Sequence, residues 1–220
     1  MSVRSAVVLG ATGLVGERVT RLLVADSRWD RVVTIGRRAA PVDGATLTQI
    51  EADILGDGSW TDSLAVDDIF CCLGTTIAKA GSQEAFRAVD HDAVVRAASA
   101  ARQRGAEQIL VVSSLGADPA SRVFYNRVKG EMEAAVTALA FTACQIFRPS
   151  LLLGPRAERR FGERLAARLM KPLRPVFGKY RPIHRDAVAA AMVRVAATAP
   201  AGLHVYESAR IAAIAAVMTP

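Results

Sequence analysis

Tyr125 and Lys129 are the pair whose types and spacing most directly imply chemistry in this sequence. They are four residues apart in a helical pattern and therefore share a face. A phenol is a poor acid at neutral pH, with an unperturbed pKa of about 10. A neighbouring ammonium favours the phenolate and makes the proton easier to move. A tyrosine so placed can give a proton to a carbonyl oxygen while hydride arrives at the carbon. Ser113 and Ser114 close an apolar run upstream of it, and a hydroxyl at that strand end can orient the same oxygen. A lysine there can also hydrogen-bond a ribose. The same spacing is found in ordinary surface pairs, so its meaning depends on what accompanies it.

Gly10-Ala11-Thr12-Gly13-Leu14-Val15-Gly16 is one companion. It follows the first strand-like run and opens the first helical pattern, the context that makes such a glycine trio a dinucleotide-binding loop. The first glycine permits a tight turn, the second a close approach to pyrophosphate, and the third helix–sheet packing. Free N–H groups at the helix start would face the phosphates. A second companion ends the next strand-like run, Thr34-Ile35-Gly36-Arg37-Arg38. A site preferring NAD carries an acid at about this distance for the ribose 2′-hydroxyl. Two guanidiniums suit a 2′-phosphate instead, which predicts NADPH over NADH. A solvated arginine pair is the alternative. Asp53 follows the third run and either accepts from the adenine amino group or caps a loop or helix.

The elements that must position these residues are legible as alternating patterns. Strands are expected at Ala6–Leu9, Val32–Ile35, Leu47–Glu51, Asp68–Leu73, Gln108–Ser113, Thr142–Phe147 and Gly202–Tyr206. Helices are expected at Leu14–Ala25, Gln83–Arg104, Val123–Leu139, Arg156–Met170 and Asp186–Ala196, with Ser82 capping the second and Gly105 stopping it. This alternation implies an α/β fold with a parallel sheet and right-handed crossovers. Pro172, Pro175 and Pro182 interrupt the region after Met170, so residues 151–183 read as a small irregular substrate lobe or lid within one domain, 1–220.

Composition narrows the class. The 220 residues are 51% hydrophobic and 22% charged, a globular balance. No uncharged apolar run reaches the length of a membrane span. Cys71, Cys72 and Cys144 do not make a disulfide framework, and the N-terminus enters a strand pattern with no leader, so a reducing, cytoplasmic location is expected. Three scattered histidines give no metal site. The net charge is +7, and Arg148–Arg185 carries eleven Lys or Arg against Glu158 and Glu163. Aromatic residues are only 5%, and no helix-turn-helix or zinc-finger spacing appears, so a cofactor-facing or solvated basic surface is preferred to a nucleic-acid site. Glu131 and Glu133 read as a solvated face. The apolar tail Arg210–Met218 docks on the core or on a second subunit.

Taken in order, these residues resemble the short-chain dehydrogenase/reductase superfamily in its extended or atypical branch. Within it the chain is most similar to the Tat-interacting-protein oxidoreductase family. Thr34–Arg38, Phe70–Thr76 with Lys79-Ala80-Gly81, Ser113–Asp118, Tyr125–Glu131, Arg148-Pro149 and Leu153-Gly154-Pro155 carry the similarity. The resemblance implies a Rossmann-type doubly wound parallel sheet with helices on both faces and NADPH along its C-terminal edge. It implies Gly10, Thr12, Gly13, Leu14, Val15 and Gly16 at the pyrophosphate, and Arg37 and Arg38 at the 2′-phosphate. Asp53 and Ile54 would flank adenine, and Leu73 and Gly74 the adenine-side ribose. Arg148, Pro149, Ser150 and Leu151 would back the nicotinamide. Tyr125 and Lys129 would be the catalytic pair, with Ser114 preferred to Ser113 because relatives often carry the hydroxyl slightly further along, where this chain has Leu115.

The expected activity is hydride transfer to a small carbonyl substrate, since the chain has little room for the longer lobe of relatives that bind nucleotide sugars. The alternative is an NADPH-sensing binding protein without turnover. Either would be a monomer or homodimer. Phe161, Leu165, Leu169, Phe177 and Tyr180 are the expected pocket walls, with Arg156, Arg159 and Arg160 nearby.

Overall fold

The computed structural model describes residues 3–153 and 182–217. Strands β1 (Arg4–Leu9), β2 (Trp29–Gly36), β3 (Leu47–Glu51), β4 (Asp68–Cys71), β5 (Gln108–Val112) and β6 (Ala143–Arg148) alternate with helical segments. A short pair, β7 (Leu152–Leu153) and β8 (Ile183–His184), and the last strand, β9 (Gly202–Glu207), complete the strands described. The helices are α1 (Leu14–Val24), α2 (Ile77–Ala80), α3 (Gln83–Arg87), α4 (Ala93–Gln103), α5 (Phe124–Ala138), α6 (Arg185–Thr198) and α7 (Ser208–Ala216).

The main sheet has seven parallel strands in the order β3-β2-β1-β4-β5-β6-β9. Winding runs outward from β1 in one direction and from β4 in the other, so the switch point lies between them. This is the doubly wound α/β architecture expected from the sequence. Alternate strand residues divide between two cores. Ala6, Val8, Phe70, Leu110 and Phe147 pack against α1, α6 and α7. Val7, Leu9, Ile69, Cys71, Ile109 and Val111 pack against α4 and α5 on the opposite face. The apolar tail docks on this chain's own core: Ile211 is fully buried, and the Arg194 guanidinium donates to the Ile214 and Ala215 carbonyls at 2.6 Å.

Two expectations change in detail. The single helix expected at Gln83–Arg104 begins and ends as predicted, with the Ser82 hydroxyl accepting from the Ala85 N–H at 3.1 Å and Gly105 at φ +93°. Its interior, however, widens into a π turn over Ala88–Asp92, which separates α3 from α4. Such turns often mark functional positions, and this one carries the buried Asp90. The expected lobe is seen only at its two ends, where β7 and β8 pair in parallel. The helix at Arg156–Met170, the expected pocket walls and most of the basic segment lie outside the described residues.

Candidate active site

The glycine loop joins β1 to α1 beside the switch point. Gly10 has φ +78°, and a Cβ there would stand 2.5 Å from the Cys72 carbonyl oxygen. A Cβ on Gly16 would stand 2.3 Å from the Gly10 carbonyl oxygen. Both positions therefore exclude a side chain, and the loop is drawn tightly between β4 and the first turn of α1. The Gly13 N–H closes on the Gly10 carbonyl at 2.9 Å, and the Glu17 N–H on that of Gly13 at 3.0 Å. Gly13 caps α1 without any side-chain hydrogen bond. The N–H groups of Leu14, Val15 and Gly16 thus present an uncapped, positively polarised helix end. Thr12 is partly buried in the same loop. A cradle that glycine alone can line, ending in free donors, fits a dinucleotide pyrophosphate.

Beyond Gly36, Arg37 and Arg38 are both exposed, and neither forms an ion pair with another described residue. Asp53 is exposed, and one of its carboxylate oxygens accepts from the Leu55 N–H at 3.0 Å, a loop-capping role. Ile54 is 5% exposed and packs with Val33 and Ile35, so its side chain belongs to the core beneath the loop.

Loop residues after β4 meet α5 through Asp90. The Asp90 carboxylate lies 2.7 Å from the Lys129 ammonium and accepts from the Thr75 N–H at 2.8 Å. Both side chains are almost completely buried. Gly74 fits over this pair: a Cβ there would lie 3.4 Å from Asp90 and 3.9 Å from the Lys129 Nζ. Leu73 is half-buried beside it. One turn earlier on α5, Tyr125 is partly buried with its ring against Phe86, centroids 5.3 Å apart.

At the end of β5, the Ser113 N–H donates to the Phe147 carbonyl at 2.7 Å and the Leu115 N–H to that of Pro149 at 2.9 Å. The hydroxyls of Ser113 and Ser114 are buried and have no hydrogen-bond partner among the described residues. Buried hydroxyls are normally hydrogen-bonded, so two orphans side by side fit a site that receives a polar ligand. The loop that follows folds back on α5, where a Cβ on Gly130 would stand 2.2 Å from the Pro119 nitrogen. Gly130 is what allows this close crossing.

At the end of β6, the Arg148 guanidinium forks onto the Glu133 carboxylate, with Nε to Oε1 at 3.0 Å and Nη2 to Oε2 at 2.5 Å. The expected solvated face is corrected here for Glu133, while Glu131 sits in a partly exposed pair. Glu133 is 6% exposed and paired, and Glu131 forms an ion pair with Arg87. The Glu133 carboxylate also raises the pKa of Arg148 above its ordinary value. Pro149 is buried, the Ser150 N–H donates to the Ser208 hydroxyl at 2.7 Å, and Leu151 is exposed.

Sequence reasoning missed Asp90, Glu133 and the packing role of Gly130. Glu133 carried a signal, since it lies four residues after Lys129 on the Tyr125 stripe. Burial pushes the thiols of Cys71 and Cys144 up to about 11 and raises that of Cys72 as well.

Comparison with known proteins agrees with this geometry. An NAD(P)H-binding family model matches residues 10–199. Protein HTATIP2 of Rattus norvegicus is 35% identical over 178 residues, covering 79% of this chain and 73% of that protein. The mitochondrial protein FMP52 of Candida glabrata is 38% identical over 165 residues, covering 74% and 70% respectively. Among solved structures, MoeE5 in complex with UDP-glucose and NAD superposes with a TM-score of 0.72 at 19% identity, over 96% of this chain and 81% of that one. That likeness is one of fold. The FMP52 relatives overturn the expected cytoplasmic location, because they are mitochondrial proteins by name. Free cysteines fit any reducing compartment and do not distinguish one from another. The glycine cradle, the seven-stranded sheet and these matches together establish that the chain belongs to the NAD(P)H-binding family, with HTATIP2 and FMP52 proteins among its relatives.

Proposed function

We propose that this protein is an NADPH-dependent oxidoreductase of the short-chain dehydrogenase/reductase type, acting on a small carbonyl compound with Tyr125 as proton donor. The observation that carries this reading is the buried Lys129 ammonium, which sits over Gly74 at the C-terminal edge of the sheet, one turn from Tyr125. A cation buried at that edge costs desolvation energy, which is more readily understood in a site than in a packing core.

In this reading Gly10, Thr12, Gly13 and the N–H groups of Leu14, Val15 and Gly16 hold the pyrophosphate. Arg37 and Arg38 grip the 2′-phosphate. Leu73 and Gly74 lie along the adenine-side ribose, and Asp53 with the Ile54 backbone borders the adenine. Pro149, Ser150 and Leu151 back the nicotinamide, while Arg148 acts from behind through Glu133. NADPH, when bound, supplies the hydride. The chain's own residues handle the proton: Tyr125 gives its phenolic hydrogen to the carbonyl oxygen, and the Ser114 hydroxyl donates a hydrogen bond to the same atom. Lys129 holds positive charge near the phenol and hydrogen-bonds the nicotinamide ribose. The test is NADPH oxidation against a panel of aldehydes, ketones and quinones. Turnover supports the reading. Binding of NADPH without turnover on any of them favours a sensor instead.

A further inference from the structure

Tyr125, Lys129 and Glu133 stand at i, i+4 and i+8 on α5 and form one stripe along the helix. The first is the proposed proton donor and the second is held by Asp90. The third is buried and takes both teeth of the Arg148 fork, the geometry with the greatest directional specificity among ion pairs. Arg148 is not an isolated partner. The Phe147 carbonyl on one side of it accepts from the Ser113 N–H, and the Pro149 carbonyl on the other accepts from the Leu115 N–H. The chain of contacts is therefore continuous, running from the serine end of β5 to the end of β6, through the fork to Glu133, and along α5 to Lys129 and Tyr125. Hydrophobic contacts of Met132 and Val136 also hold α5 on the sheet, and the fork adds a directional constraint to that packing.

We propose that Glu133 is a positioning residue, setting through Arg148 the rotation of α5 and hence where the Tyr125–Lys129 turn stands relative to the end of β5. This rests on the reductase reading given above. A displacement of even ~1 Å at reacting groups can cost about a hundredfold in rate, so a residue remote from the chemistry can govern it.

The test compares Glu133→Gln and Glu133→Ala with the wild-type protein. Glu133→Gln keeps the shape and one acceptor, while Glu133→Ala removes both. NADPH affinity is read by fluorescence titration, turnover with the substrate found in the panel, and amide hydrogen exchange in residues 113–115 and 124–129 without cofactor. The expected result for Glu133→Ala is a fall in kcat of about tenfold or more, with KM and NADPH affinity changed less than about twofold and faster exchange in both segments. Glu133→Gln should recover most of the kcat. If Glu133→Ala does not fold, Glu133→Gln decides alone, with an intermediate loss of kcat and raised exchange expected. Unchanged kcat and exchange in the folded variants would overturn the proposal while leaving the reductase reading intact. A wild-type protein that binds NADPH without turnover would overturn the reductase reading, and with it the catalytic part of this proposal. Exchange would still report whether Glu133 holds α5.

Discussion

Two buried carboxylates stand near opposite ends of β4, and their surroundings differ. Asp68, at the amino edge of the sheet, is completely buried and has both oxygens engaged within the protein. One forms an ion pair with Arg4, and the other accepts from the Trp29 indole N–H at 2.7 Å. Arg4 continues the network to the Gln108 side-chain oxygen at 3.1 Å and to the Ala196 carbonyl at 2.7 Å. Asp90, near the carboxyl edge, is as deeply buried and also meets a cation. Along the same edge of the sheet, however, polar groups are left over among the described residues: the hydroxyls of Ser113 and Ser114, the uncapped first turn of α1, and two exposed arginines. Asp68 ties strands to a helix, whereas Asp90 ties the loop after β4 to α5. The Asp68 network also leaves one buried amide nitrogen, Gln108 Nε2, without a partner among the described residues, so what sets the carboxyl edge apart is that two hydroxyls and a helix end are left over together.

The largest expected effect breaks the carboxyl edge at its backbone. Gly16→Ala forces a Cβ against the Gly10 carbonyl at 2.3 Å, and no flexible atom is there to yield. NADPH affinity should fall by more than about a hundredfold, with a stability loss of ~3 kcal/mol in urea unfolding, at the upper end for overpacking. Next comes Asp90→Ala, which leaves the Lys129 ammonium buried without its counter-charge. A destabilisation of ~3 kcal/mol is expected in the same experiment, as for other broken buried pairs. Asp68→Ala should cost less, because Arg4 is 23% exposed and can turn to water.

Desolvation raises the pKa of Asp68 from 3.8 to about 6, outweighing the attraction of Arg4 and the Trp29 hydrogen bond. The folded protein therefore binds this proton more tightly than the unfolded chain. The resulting stability is fully present below about pH 4 and is lost as pH rises through about 6. Urea unfolding across pH 4–8 should show this component in the wild-type protein and not in Asp68→Asn. The smallest structural effect belongs to the exposed pair. Arg37→Ala with Arg38→Ala should leave the melting temperature within about 1 °C, yet weaken NADPH binding about tenfold or more with little change for NADH.

Much of this comparison could be read in the sequence, for reasons the residues make plain. Strand–helix alternation and the glycine spacing are local signals, and they located β1, α1 and the tight glycine loop between them. Tyr125 and Lys129 were legible because a helix makes i and i+4 neighbours without help from the rest of the fold. Asp90 was not legible. Its role depends on a π turn and on α5 packing beside it, both products of tertiary structure. Glu133 was misread as solvated because its burial depends on Arg148, fifteen residues away on another element. The fate of the C-terminal tail was likewise a question of docking, which periodicity cannot decide.

The central claim is that the carboxyl edge performs proton-coupled hydride transfer through Tyr125. The most direct measurement is turnover of NADPH with a responsive carbonyl compound by the wild-type protein and Tyr125→Phe, alongside NADPH affinity for both. The account predicts that removing one hydroxyl lowers kcat by about a hundredfold or more, the scale of general acid catalysis, while NADPH binding stays within about twofold. Equal turnover by the two proteins would contradict it and remove Tyr125 from the chemistry.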